Sequence, residues 1–141
     1  MTDQNSVPTR ILYTMLRVGD LERSIAFYEV ALGMHETRRE TFPEGRFTLV
    51  FMGYGDSPSA PLIELTWNWD ETGYRHGTGY GHIALEVADI YAACERLEGM
   101  GVDVTRPAGP MKLAPTETNK KEVIAFLQDP DGYSIELIAA A

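Results

Sequence analysis

The tripeptide Ile-Glu-Leu occurs at Ile63–Leu65 and again at Ile135–Leu137, each time after the same succession of motifs. Tyr13 and His82 lie 69 positions apart, and so do Asp20 and Asp89. A repeat at such a period restricts a chain more than its composition does, because each copy must be one supersecondary unit. The first copy opens with ILYTMLRV (11–18), a run of strand formers ending at Gly19-Asp20. Apolar residues at Leu21, Ile25, Tyr28 and Leu32 then follow a helical spacing, with Asp20 as N-cap and Gly33 as the residue just past the end. Three strand-like runs come next, at about 35–41, 46–53 and 61–67.

The second copy has the same order. GHIALEV (81–87) reads as a strand, Asp89 opens a helix through Met100, and Gly101 ends it. Strand signals return at 102–105, 122–128 and 133–138, with Asp129-Pro130-Asp131-Gly132 as a turn between the last two. The expected fold is therefore α+β, with two βαβββ modules over about 11–67 and 80–139 in a single domain. A generic α+β sheet with helices on one face is the alternative.

Side chains alternate along a strand, so position parity assigns faces. Glu64 and Thr66 share one face with Asn68, opposite Ile63 and Leu65. Glu136 lies opposite Ile135 and Leu137, while Tyr13, Met15 and Arg17 share a face in their strand, as do His82, Ala84 and Glu86. Tyr13, Glu64, His82 and Glu136 are thus repeat-equivalent positions able to face one groove. Two carboxylates and an imidazole form a hard donor set suited to Zn²⁺, Ni²⁺, Co²⁺ or Mn²⁺. The alternative is that both glutamates are solvated strand residues. His35 and His76 read as solvated, and Cys94 reads as packing beside Ile90 and Leu97. No Gly-rich phosphate loop, CxxC pair or nucleophile elbow occurs.

The formal charge of −9 disfavours nucleic acid and anionic membranes, which reward a basic face. A single cysteine in 141 residues allows no internal disulfide, and no apolar run reaches the ~18–20 residues of a membrane helix. The polar first ten residues lack a signal-peptide stretch, so a cytoplasmic protein is expected.

TMLRVGDLERSIAFYEVALGM, IELTWNW, GYGHIALEV and FLQDPDGYSIEL together resemble the glyoxalase I (lactoylglutathione lyase) family of the vicinal oxygen chelate superfamily, over roughly 11–139. That resemblance implies that the two βαβββ modules form paired curved sheets, and that the protein is a homodimer with active sites at the subunit interface. Each site would take one module from each chain. Glu64, His82 and Glu136 fall on metal-ligand positions, and Glu136 also on the catalytic base. Arg17 and Asn68 fall on positions that hold the γ-glutamyl end of glutathione, while Arg106 and Lys112 flank a loop that closes over it. One divalent metal per site is implied, Ni²⁺ or Co²⁺ ahead of Zn²⁺. The implied reaction is isomerisation of the methylglyoxal–glutathione hemithioacetal to S-D-lactoylglutathione by proton transfer through a metal-stabilised enediolate.

Two features depart from the family pattern. His or Gln normally supplies a fourth ligand where this chain has Tyr13, a phenol with a pKa of about 10 that is a weaker ligand at neutral pH. A three-ligand site with an extra water, a shifted Tyr-ligated site and a metal-poor protein that binds a small molecule are the alternatives. The segment LAPTETNKKE (113–122) is several residues longer than in compact members. An extradiol dioxygenase would need a second histidine at these strand positions, which is absent.

Overall fold

Asp20 and Asp89 start the two main helices as their chemistry dictates. The Asp20 carboxylate accepts from Arg23 N at 3.1 Å and the Asp89 carboxylate from Ala92 N at 3.0 Å, pairing N–H groups that helix starts leave orphaned. Beyond the helix ends, Gly33 and Gly101 take φ of +72° and +83°, a left-handed conformation that costs glycine nothing. The computed structural model describes residues 3–55 and 57–141. It divides into two compact units, Met1–Tyr74 and Arg75–Ala141.

The first unit contains β1 (Tyr13–Arg17), α1 (Leu21–Ala26), β2 (His35–Phe42), β3 (Phe47–Gly53) and β4 (Leu62–Asn68). Its sheet has the order β1-β4-β3-β2, with β1 parallel to β4 and the other pairs antiparallel. Leu21, Ile25 and Tyr28 form the helix stripe, and Leu16, Val50, Met52, Ile63 and Leu65 complete a buried core. A π-helical turn over Phe27–Ala31 continues α1, and Ala31 rather than Leu32 closes its buried stripe. Three positions past Tyr28 is still the same helix face, and the small side chain is fully enclosed there.

The second unit repeats the plan with β5 (Ile83–Val87), α2 (Ile90–Gly99), β6 (Val104–Pro110), β7 (Val123–Gln128) and β8 (Ser134–Ala139). Its sheet runs β5-β8-β7-β6, with β5 parallel to β8. Ile90, Cys94 and Leu97 of α2 are buried, as are Ala125, Leu127, Ile135 and Leu137 of the sheet. Each unit is therefore a βαβββ arrangement, in agreement with the α+β fold class that the repeat implies.

Strand β6 extends well past the 102–105 run read from the sequence, through Pro107 and Pro110. Proline breaks central strands because it cannot donate to the ladder, but β6 is an edge. Register shifts occur on both sides of Arg106, and its guanidinium donates to the carbonyls of Gly109, Ile124 and Pro110 at 2.8–2.9 Å. The side chain thus pairs backbone acceptors that the bulges leave behind. Beyond β6, the 113–122 segment is irregular, and Met111 N donates to Glu122 O at 2.9 Å across its base. Among the described residues, no helix is long and apolar enough to cross a membrane.

Candidate functional site

Strand register brings Glu64 into a row with Met15 on β1, Phe51 on β3 and Arg38 on β2. Directly paired residues project from the same face, so these four side chains share one surface of the first sheet. Glu64 is only 7% exposed and accepts no hydrogen bond from the described residues. Burial, reinforced by Glu40, raises its carboxyl above the ordinary range, and Arg38 opposes that shift. A buried carboxylate without donors is costly as an anion unless a cation meets it.

Tyr13 lies on the same face as Glu64. Its ring meets Phe51 edge-on, with centroids 5.2 Å apart and planes at 72°, and 41% of the residue is exposed. The Arg38 guanidinium covers the Phe51 ring at 3.9 Å. Arg17 and Asn68 sit at one end of this face, on the adjacent strands β1 and β4. Asn68 Nδ2 donates to the Tyr74 hydroxyl at 3.0 Å.

The second sheet carries the matching row. Glu136 pairs with Ala84 on β5 and Phe126 on β7, and Phe126 pairs with Arg106 on β6. His82 immediately precedes β5, and its Nε2 lies 3.1 Å from Glu136 Oε1. The His82 ring meets Phe126 edge-on at 5.2 Å and 76°. Each unit thus holds a glutamate, a ring at the start of its first strand and a phenylalanine beneath that ring. Sequence reading identified the glutamates and rings but not Phe51 and Phe126. Both phenylalanines sit on the glutamate face by parity, a signal already present in FTLVF and VIAF.

Arg106 is half-buried and engaged by carbonyls, Pro107 O included at 3.0 Å, whereas Lys112 is exposed at the start of the irregular segment. His76 differs from its solvated expectation: it stacks on Tyr133 at 4.1 Å with planes 8° apart. The linker returns over the turn at Asp129–Gly132, which the sequence pattern did not reveal. His35 is exposed and Cys94 buried, as expected.

Among the described residues, no three His, Cys, Asp or Glu side chains gather as a metal-binding group within the chain. What each unit offers is a partial donor set: the oxygens of Glu64 in one, and the nitrogen and oxygen of His82 and Glu136 in the other. Mixed imidazole and carboxylate donors suit a divalent first-row ion, so the residues fit such a group.

A family model described as the Glyoxalase/Bleomycin resistance protein/Dioxygenase superfamily matches residues 10–137. A lactoylglutathione lyase of Neisseria meningitidis serogroup A is 56% identical over 129 residues, 92% of this chain and 89% of its own length. The crystal structure of glyoxalase I from Zea mays superposes with a TM-score of 0.85 at 39% identity, covering 94% of this chain and 45% of the maize chain. The trypanothione-dependent glyoxalase I of Leishmania major superposes with a TM-score of 0.79 at 41% identity, covering 94% and 87%.

Proposed function

Because the chain belongs to the Glyoxalase/Bleomycin resistance protein/Dioxygenase superfamily, we propose that it isomerises the hemithioacetal of methylglyoxal and glutathione to S-D-lactoylglutathione, and so detoxifies methylglyoxal. The observation that carries this reading is the 3.1 Å approach of His82 Nε2 to Glu136 Oε1. A carboxylate held beside an imidazole, on a face shared with an open strand row, can hold and move a proton.

In the proposed mechanism Glu136 takes the proton from C1 of the hemithioacetal. Glu136 returns that proton to C2 of the resulting enediolate and the C1 hydroxyl proton passes to the C2 oxygen, which completes a 1,2-hydrogen shift with no net redox change. His82 Nε2 and Glu136 Oε1 converge as neighbouring donor atoms, and the edge of Phe126 limits how far the His82 ring can turn away. Glu64, His82 and Glu136 would hold a divalent ion, which would supply Lewis acidity that stabilises the developing negative charge. Nickel or cobalt is the proposed ion ahead of zinc. Arg17 and Asn68 hold the γ-glutamyl end of the thiol. Lys112 adds positive charge near the glutathione, and Arg106 fastens the base of the strand that leads to it.

The site assembles in a homodimer, with Glu64 from one chain and His82 and Glu136 from its partner, and the enzyme works in the cytoplasm. The lack of a three-residue donor group among the described residues of one chain fits that arrangement. The similar proteins named above are enzymes, which leaves the small-molecule binding alternative with Tyr13 alone in its favour.

Substituting Glu136→Gln tests the assignment. Removing a general base costs about 10²–10⁴-fold, so turnover should fall by at least about 10²-fold while the fold and the dimer persist. Near-wild-type turnover in that variant would remove Glu136 from the role.

A further inference from the structure

His82 stands one residue ahead of β5, so the parallel ladder that begins with Ile83 opposite Ile135 does not reach it. The chain arrives there through Gly79-Tyr80-Gly81. Both glycines are exposed, and nothing lies within 4 Å of where a Cβ would stand on either. Glycine leaves the backbone its greatest freedom, so the Tyr80 ring is the anchor of this stretch.

That ring belongs to a cluster within the second unit. Tyr80 meets Tyr133 edge-on, with centroids 5.4 Å apart and planes at 71°, and meets His76 at 6.4 Å and 64°. His76 lies flat on Tyr133 at 4.1 Å, so each ring touches the other two. Edge-to-face pairs have a preferred geometry, which makes such a cluster stiffer than aliphatic packing. Tyr133 is 7% exposed, and its N–H donates to Asp129 Oδ1 at 2.9 Å, which fastens the cluster to the turn before β8. The Tyr80 hydroxyl is buried and makes no hydrogen bond among the described residues. The ring, not the hydroxyl, is therefore what holds Tyr80 in place.

We propose that Tyr80, wedged against Tyr133 and His76, is a positioning residue that holds His82 within reach of Glu136, so that the two donors meet a divalent cation already spaced. The inference rests on the isomerase reading and deepens it. Tyr80 precedes His82 by two residues, and Tyr133 precedes Glu136 by three. The contact between these two rings thus ties together the starts of the two segments that carry the donors, whose atoms approach to 3.1 Å. Tyr80 touches no reacting atom and acts through His82. His76 acts one step further back, by closing the stack on Tyr133.

The test titrates metal-stripped protein with Co²⁺ and follows its visible absorption, which reports affinity and coordination without turnover. Tyr80→Leu keeps apolar bulk but loses the edge-on ring contacts. It should bind Co²⁺ about 10- to 100-fold more weakly than wild type, the scale on which residues behind a metal ligand act. At saturating metal its kcat should fall about tenfold or more, with KM within about twofold. His76→Ala should shift both quantities the same way by a smaller factor, and His76→Phe, which keeps a ring on Tyr133, should restore them. Tyr80→Phe should match wild type, because its hydroxyl has no partner to lose. Leu97→Ala, in the buried stripe of α2, lowers stability without touching the cluster. Studied below its melting temperature, it should keep wild-type Co²⁺ affinity and spectrum. Wild-type Co²⁺ affinity in folded Tyr80→Leu, or an equal loss in Leu97→Ala or Tyr80→Phe, would overturn the inference and leave the isomerase reading standing. Should Tyr80→Leu not fold, wild-type affinity in His76→Ala would overturn it. A folded, metal-loaded wild type with no turnover would overturn the isomerase reading, whatever the Co²⁺ titrations give.

Discussion

Tyr13 stands where the resemblance leads one to expect an imidazole or carboxamide, and its surroundings match those of His82. Both rings lean edge-on against a phenylalanine at 5.2 Å, and each phenylalanine pairs with the glutamate of its own unit. The strand geometry therefore treats the phenol as an equivalent of the imidazole, while the chemistry differs. A neutral phenol is the poorer donor, so Tyr13→His should raise the metal retained after dialysis against a weak chelator. Elemental analysis checks this, and equal metal content in the two proteins would mean that Tyr13 does not limit the site. Glu64, His82 and Glu136 were singled out in the sequence by parity and the repeated Ile-Glu-Leu context; the structure puts His82 beside Glu136 on the second sheet and Glu64 in the matching row of the first. The bond from Asn68 to Tyr74 was not legible there, since it depends on the path of an irregular linker that no periodicity records. Nor was the commitment of Arg106 to backbone carbonyls, which follows from register shifts visible only once β6 and β7 are paired.

Among the elements, those governed by local chemistry were the readable ones. Aspartate caps, the left-handed glycines past the helix ends and the turn after β7 all form where short-range rules place them. In that turn Gly132 N donates to Asp129 O at 3.0 Å, and Gly132 takes φ of +87°. Asp129 is 5% exposed, and its Oδ1 accepts from Asp131 N at 2.8 Å and Tyr133 N at 2.9 Å. The turn leads directly into β8, which carries Glu136. Asp129→Ala should therefore cost about 1–3 kcal/mol of stability, because two backbone donors lose their acceptor. Asp129→Asn, which keeps an oxygen there, should cost less. Denaturant titration measures both, and an alanine variant as stable as wild type would contradict this role for the turn. Strand β6 escaped local rules, since its prolines read as breakers until its edge position is known. The stacking of His76 on Tyr133 likewise depends on where a linker returns.

At the scale of the whole molecule, each chain carries two partial donor sets on equivalent rows. If each active site draws Glu64 from one chain and Glu136 from the other, Glu64→Gln and Glu136→Gln should complement each other. Either variant alone should be inactive. Dissociated and reassociated in equal amounts, they should recover about a quarter of wild-type activity, because half the dimers are mixed and each of those holds one intact site. A mixture as inactive as its components would place each site within a single chain. Charge acts at this scale too: in a chain of net charge −9, the proposed binding of an anionic thiol would fall to local cations such as Arg17 and Lys112. The most direct measurement is the rate of S-lactoylglutathione formation from methylglyoxal and glutathione, with protein stripped of metal and then supplied singly with Ni²⁺, Co²⁺, Zn²⁺ or Mn²⁺. Stripped protein should be inactive and at least one ion, nickel or cobalt foremost, should restore turnover. A folded protein that stays inactive with all four ions would contradict a metal-dependent isomerase.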